Sequence, residues 1–290
     1  MKYLLVVAAR HVSPRTAELC AEQGLSWIDM AGNCRITGPG IHIERTGNPP
    51  ATRLQRHGAD LSSWAAARVL RALLAPECTG RRWTQRELEF ETQNPSQPMW
   101  PTTPASLGLV NKVVRHLRDE SFLTSLPESG FIVSDPLRLL AAWRDAYRYR
   151  DHVREGHFTL LQGAKLAAAL LKIQIIPECP LVLASFSAAD IQAPAIRQQK
   201  TWLYVHPARI PEVRTALEAK PVDSGENIVM LTPADDGVFY QLDKTIGRLS
   251  CTNAVQTYVD LRHGAGRGDE AAEAILEQRL KPAWKAGGML

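Results

Sequence analysis

Three side chains within one short run, Asn111, Lys112 and Arg115, match the hydrogen-bonding edges of nucleic-acid bases. Asparagine can bridge N6 and N7 of adenine, and arginine or lysine can reach O6 and N7 of guanine. The run is Ser106-Leu-Gly-Leu-Val-Asn-Lys-Val-Val-Arg-His-Leu-Arg, in which Leu107, Val110, Val114 and Leu117 recur at helical spacing and are expected to face a core. Gly108, Asn111, Lys112 and Arg115 then form a polar stripe on the opposite face. Ser106 at the helix start suits a phosphate contact, Gly108 allows close backbone approach, and Arg86, on an earlier helix, offers a second phosphate contact. The plainer reading of the same stripe is the solvated face of an ordinary surface helix.

Asp29, Glu44 and Arg45 suggest a different chemistry. A carboxylate on one strand and Glu-x-Lys on the next is the metal-binding pattern of PD-(D/E)xK nucleases, in which two carboxylates hold Mg²⁺ and a lysine positions the attacking water. Here Arg45 directly follows Glu44 and no lysine stands at the expected offset. Arginine stays protonated and is a poor water-activating group. A structural or interaction role is therefore preferred for this segment, with a metal-dependent nuclease as the alternative. Gly264-Ala-Gly-Arg-Gly before a helix could be offered as a phosphate cradle, but Asp269 and Glu270 would meet a phosphate with like charge. No catalytic motif, cofactor-binding motif or metal-ligand spacing of His and Cys is present, so neither enzyme nor cofactor nor metal is expected. The five cysteines are odd in number and scattered, which reads as free thiols in a reducing cytoplasm.

Charge is informative through its distribution. Residues 62–118 contain eight basic side chains (Arg68, Arg71, Arg81, Arg82, Arg86, Lys112, Arg115, Arg118) and four acidic ones (Glu77, Glu87, Glu89, Glu91), and the difference, 8 − 4 = +4, equals the formal net charge of all 290 residues. The basic surplus thus coincides with the stretch that holds the base-reading stripe. The short apolar run at the N-terminus is broken by Arg10-His11 and is not read as a signal peptide, and no run reaches the roughly 20 residues that span a bilayer. A cytoplasmic protein with no membrane association is expected.

Several elements must position these side chains. Residues 62–74 carry Ala66, Val69, Leu70, Leu73 and Leu74 on one face, with Arg68 and Arg71 expected in solvent. Thr84, with Glu87 three residues on, forms a capping box at the start of a second helix. The stripe-bearing helix follows, then strand-like runs near residues 122–124 and 130–133. Three helices and a hairpin is the order of a winged helix-turn-helix, whose third helix enters the major groove. One departure is the long proline-rich turn, residues 93–104, where three or four residues are usual. Asp135-Pro136 is expected to start a further helix continuing through residue 151.

Before this module, residues 3–8, 26–30, 34–37 and 41–45 read as strands and residues 14–23 as a helix, the first strand being buried. Residues 48–57 form a basic, proline-containing linker. After the module, helices near 162–173, 210–219 and 269–280 alternate with strands near 181–186, 202–206, 227–231 and 238–242, a segment close to charge balance. The expected fold is α+β and multidomain: a small α/β unit at 1–58, a winged helix-turn-helix with a connector helix at 60–150, and an α+β interaction or regulatory domain at 151–290.

The combination of Ser13-Pro-Arg-Thr, Trp27-Ile-Asp-Met-Ala-Gly-Asn-Cys-Arg-Ile, Ser106-Leu-Gly-Leu-Val, Asp135-Pro with Leu139, Leu140 and Trp143, and Asn253-Ala-Val-Gln-Thr-Tyr-Val-Asp-Leu with Gly266-Arg-Gly-Asp-Glu resembles AbiEi-like proteins. The resemblance touches all three parts of the chain. It implies a non-enzymatic repressor whose winged helix binds repeats in its own promoter. It further implies a C-terminal domain that counteracts a nucleotidyltransferase-like toxin encoded nearby. Double-stranded DNA is the expected partner, and a homodimer is expected because operators are commonly palindromic.

Overall fold

The computed structural model describes residues 4–9, 12, 14–48, 59–95, 102–174, 181–196, 198–243, 249–264 and 266–290. Ser13, the basic linker residues Arg53, Arg56 and His57, Trp100 with half of the proline-rich turn, and Cys179 lie outside these. The chain divides into two compact units, Met1–Gly58 and Ala59–Leu290.

In the first unit, strands β1 (Val6–Ala9), β2 (Ser26–Asp29), β3 (Cys34–Gly38) and β4 (Ile41–Arg45) form a sheet in sequence order, with helix α1 (Pro14–Glu22) between β1 and β2. β1 and β2 are parallel and the remainder is an antiparallel meander. Trp27, Cys20 and Val12 make a small core. The strand order agrees with the expected strand, helix and meander, but β1 is an edge strand with Val6 and Val7 exposed rather than a buried one. Continuous hydrophobicity signals burial only where both faces are covered.

Asp29 is nearly buried and organises the β2–β3 turn. Its carboxylate accepts from the backbone N–H of Ala31 and Asn33, each at 2.9 Å, and from the Asn33 side-chain amide at 3.0 Å. The Asn33 amide, against the effect of burial, holds this carboxyl below its usual value. Glu44 stands in a different sheet row from Asp29, opposite Arg35, which separates it from Trp27 on β2, and is exposed and near His42. The residues that motivated the nuclease alternative are thus two separate features, one of them committed to a turn. Among the described residues no group of three or more His, Cys, Asp or Glu is arranged to hold a metal ion.

The second unit is α+β. Helices α2 (Trp64–Leu74), α3 (Gln85–Glu91) and α4 (Leu107–Asp119) precede a hairpin of β5 (Leu123–Ser125) and β6 (Phe131–Val133), then α5 (Pro136–Ala146). Next come β7 (Val153–Phe158), α6 (Gly163–Gln174), β8 (Leu181–Leu183), α7 (Ser185–Gln192), β9 (Thr201–Val205), α8 (Ile210–Ala216), β10 (Lys220–Pro221) and β11 (Ile228–Thr232). The unit ends with α9 (Ala254–Arg262), α10 (Gly268–Ile275), a π-helical turn, and α11 (Lys281–Ala286). The five-stranded sheet has the order β10-β7-β11-β9-β8. Period-two alternation divides its side chains: Ile228, Met230, Leu203 and Val205 pack with α6 and α8, while Val229, Leu231, Tyr204 and Val182 pack on Val238 and Phe239.

Some local expectations give way here. α5 stops at Ala146 and a 3₁₀ turn follows at Tyr149–Asp151. Residues 236–239 are a 3₁₀ turn rather than a strand, its apolar side chains closing one sheet face. β7, α7 and α9 have no amphipathic signature: α7 and α9 are buried almost all round, so their sequences lack a polar stripe.

A third core extends without interruption from α2, α4, β6 and α5 to α7, α9, α10 and Trp284, crossing residue 150. Two arginines of α2 lie inside it. They were expected in solvent, but Arg68 is 5 % and Arg71 1 % exposed. The Nε of Arg68 donates to both carboxylate oxygens of Asp235 at 3.0 Å. Arg71 lies over the Trp143 ring and donates through Nε to Gln256 Oε1 at 2.6 Å. Gln256 in turn donates to Tyr147 Oη and Asp260 Oδ1, both at 2.7 Å, and the Tyr204 hydroxyl donates to Asp260 at 3.0 Å. His152 accepts from the Ala234 N–H at Nδ1, so its Nε2 carries the proton and donates to Tyr147 Oη at 2.7 Å. Gly237 is required beneath both arginines: a Cβ there would stand 2.8 Å from Arg71 Nη1 and 2.9 Å from Arg68 Cγ. Sequence periodicity cannot distinguish a solvated arginine from one that meets a carboxylate 167 positions away.

Two predictions follow from this polar core. Arg68→Leu leaves Asp235 without its cationic partner and should lower the unfolding free energy by about 3 kcal/mol, as judged by urea denaturation. Burial raises the Asp260 carboxyl to about 7 against the hydrogen bonds from Tyr204, Gln256 and Tyr147, and lowers His152 to about 4. Folded Asp260 therefore holds its proton where the unfolded chain has lost it, and its contribution falls as pH rises from about 4 to about 7. His152 has the opposite slope between about 4 and its ordinary value of 6.5, because the unfolded chain is the one that binds the proton. Asp260→Asn should remove only the first effect, so the stability difference between the native chain and this variant should shrink with rising pH across that window.

Candidate nucleic-acid interface

α4 begins where Ser106, in extended conformation, accepts from the Leu109 N–H. Val110, Val113, Val114 and Leu117 face the core, and α4 packs on α2 and α3. Leu107, expected in that core, is instead 37 % exposed and lines a cleft with Thr84, Gln85 and Arg86, while Val113 is buried with the core residues. The opposite face carries Gly108, Lys112 and Arg115 in the exposed centre, with Asn111 half-buried on the flank nearer α3. Gln85 Nε2 donates to Asn111 Oδ1 at 3.2 Å, tying the first turn of α3 to the stripe.

α3 is held by a capping box: Thr84 accepts from the Glu87 N–H, and the Glu87 carboxylate accepts from the Thr84 N–H at 2.7 Å. These bonds to Thr84 hold the Glu87 carboxyl below its usual value. Arg86 follows the cap and is exposed. Trp83, between α2 and α3, forms an isolated antiparallel bridge with Phe131 of β6, which ties that connection to the hairpin. Gly130 is obligatory at this bridge, since its φ is +87° and a Cβ would lie 2.7 Å from the Trp83 carbonyl oxygen. A shallow cleft of about 450 Å³ opens between Thr84, Arg86, Leu107, Arg118 and Ser129.

The eight basic residues of this region do not act as one surface. Arg68 and Arg71 are internal. Arg81 pairs with the buried Glu91 at 2.8 Å and lies over Trp83. Arg82 donates to the Ser129 carbonyl at 2.9 Å, so it holds the hairpin turn. Arg118 stacks over Phe131. Arg86, Lys112 and Arg115 remain exposed with no hydrogen-bond or ion-pair partner among the described residues, although Lys112 lies near enough to Asp60 to help lower its carboxyl. The charge count therefore overstated the surface, while Lys112 and Arg115, singled out by spacing, and Arg86, offered as a phosphate contact, are the ones without a hydrogen-bond or ion-pair partner. The hairpin itself carries no Lys or Arg between Phe122 and Ser134, and its turn presents Glu128. Any phosphate contact from it would use hydroxyls or backbone N–H groups. Gln85, overlooked in the sequence, could have been sought as the first helical residue after the Thr84 cap, one turn from the stripe.

Thr84→Ala removes one half of the capping box and should cost about 1 kcal/mol of stability, measured by thermal or urea unfolding, while Thr84→Ser should restore most of it.

The family model described as "Transcriptional regulator, AbiEi antitoxin, Type IV TA system" matches residues 132–281, more than half of the chain. Its span runs from β6 to the start of α11 and leaves α2, α3 and α4 outside. No curated protein and no solved structure matches. No helix among the described residues is long and apolar enough to cross a membrane.

Proposed function

As the chain belongs to the AbiEi antitoxin family, the transcriptional regulators of type IV toxin–antitoxin systems, we propose that residues 59–146 are its DNA-reading module, a winged helix-turn-helix with α4 as recognition helix. The observation that carries this reading is the free exposed pair Lys112 and Arg115 on α4, beside a hairpin bridged back to Trp83 between α2 and α3. Helix, β-bridge, helix, helix and hairpin in this pairing is the chain order of a winged helix. In this reading Lys112 and Arg115 reach guanine edges in the major groove. Asn111 keeps both amide hydrogens and one lone pair available after accepting from Gln85, enough for a bidentate contact with adenine. Arg86 and Ser106 sit on phosphates, fixing register without reading sequence.

The operator is double-stranded DNA upstream of the protein's own gene, bound by a homodimer in the cytoplasm, and the protein acts as a repressor rather than an enzyme. The sheet-containing portion that follows residue 150 would engage a nucleotidyltransferase-like toxin. Its matched family model supports an antitoxin role there, and co-purification with the product of an adjacent gene tests it.

A gel shift with upstream DNA, repeated across a salt titration, tests the reading. Arg115→Ala and Lys112→Ala should each weaken operator binding by about 1–3 kcal/mol and relax preference at one base pair. Arg86→Ala should weaken all sequences alike and flatten the salt slope by about 1. Ser106→Asp retains a helix cap, so it should fold with native stability yet bind DNA more weakly. Unchanged operator affinity in Arg115→Ala would remove α4 from the reading role.

A further inference from the structure

A feature outside α4 that invites a ligand is an open, aromatic-lined pocket of about 590 Å³ in the sheet-containing part of the second unit. That volume lies within the ordinary range for small-molecule sites. The aromatic part of its wall comes from Tyr149, Phe186 and Trp202. Phe186 and Trp202 are tilted against each other with centroids 5.6 Å apart, and Tyr149 is stacked on His263 with planes 8° apart. These rings are fixed from behind. The Trp202 indole N–H donates to Gln198 at 3.0 Å, and His263 Nε2 donates to the Arg144 carbonyl at 2.8 Å. Pre-set aromatic faces of this kind favour a planar ring over a flexible chain, since little side-chain entropy remains to be lost.

The rim is cationic. Arg154, Lys200 and Arg267 line the pocket, and their carboxylate partners are two, Glu226 and Glu270. Arg267 is satisfied by Glu270. Arg154 and Lys200 converge on one oxygen of Glu226, at 2.7 and 2.8 Å, so a single carboxylate serves two cations and one positive charge is left over. Arg154 also lies over the Trp202 ring, which places that excess charge next to the aromatic wall. A ring bearing a carboxylate would meet both features at once: its face on Trp202, its anion on Arg154 and Lys200.

The glycine-rich loop at the other edge argues against a phosphate as the anion. Behind it Asp269 pairs with Arg262 at 3.0 Å and Glu270 with Arg267, so the start of α10 already has its anions. Among the described residues Tyr149 Oη and Gln198 Nε2, buried atoms of two residues that line the pocket, have no hydrogen-bond partner.

From this juxtaposition we propose that the pocket is a binding site for a planar aromatic carboxylate of one or two rings, seated on Trp202 with its carboxylate on Lys200 and Arg154. The inference is independent of the DNA-reading proposal, since no residue of α4 contributes.

Isothermal titration calorimetry on the full chain tests it, with salicylate and indole-3-carboxylate as probes and indole and adenosine monophosphate as comparison ligands. Saturable one-to-one binding of a carboxylate probe is expected, at least about tenfold tighter than indole and than the nucleotide. Lys200→Gln should weaken it about tenfold, whereas Lys165→Gln, outside the pocket, should not. Quenching of tryptophan fluorescence, lost in Trp202→Phe, gives a second readout. Because Lys200 is on the rim, its variant should fold normally, and a native circular dichroism spectrum verifies that. The proposal is overturned if neither carboxylate binds up to millimolar concentration, if indole binds as well, if the nucleotide binds better, or if Lys200→Gln leaves affinity unchanged.

Discussion

Two buried arginines on α2 hold the second unit together. Arg68 and Arg71 place guanidinium groups where water is excluded, a state that costs several kcal/mol per ion unless partners satisfy it. Their partners lie far along the chain, Asp235 for Arg68 and the Gln256–Asp260 pair with Tyr147 and Tyr204 for Arg71. The helical region that bears the candidate interface can therefore adopt its position only when α9 and the 236–239 turn are also in place. Glu91 reinforces the tie from α3, accepting from Tyr240 and Gln241 as well as Arg81, and Trp284 donates to the Leu74 carbonyl.

This arrangement has a consequence for how the chain is divided. A boundary near residue 150 follows naturally from the change of pattern there, from helices with a hairpin to alternating strands and helices. The buried cluster that contains α2, α4 and α5 nevertheless continues into α7, α9 and α10. Hydrogen bonds and ion pairs cross the same point. A helical module fastened this way is a platform rather than a mobile arm, which suits side chains that must be presented in register.

The polar core also explains why positive charge was a weaker guide than spacing. Electrostatic counting treats each arginine alike, yet burial withdraws Arg68 and Arg71 from the surface, the exposed Arg81 is paired with Glu91, and Arg82 and Arg118 serve the hairpin. Lys112 and Arg115 stay free because they lie directly opposite Val110, Val114 and Leu117 on a helix that has only one buried face. Helical periodicity contains that information; net charge does not. The two readings of the region diverged for this reason, and the periodic one located the exposed residues.

Local rules were sufficient for the caps at Thr84 and Asp135, for the meander of the first unit, for the amphipathic face of α4 and for the family resemblance, because each depends on residues a few positions apart. Tertiary structure decided the rest. It turned Asp29 from a candidate metal ligand into a turn organiser, drew two arginines into the core, and exposed both β1 and Leu107. It revealed α7 and α9 as helices without a polar face, and it gathered Tyr149, Trp202, Lys200 and Arg154 around one pocket. In every such case the deciding partner is distant in sequence, and the free energy of burying a charge, a ring or a strand face depends on what covers it.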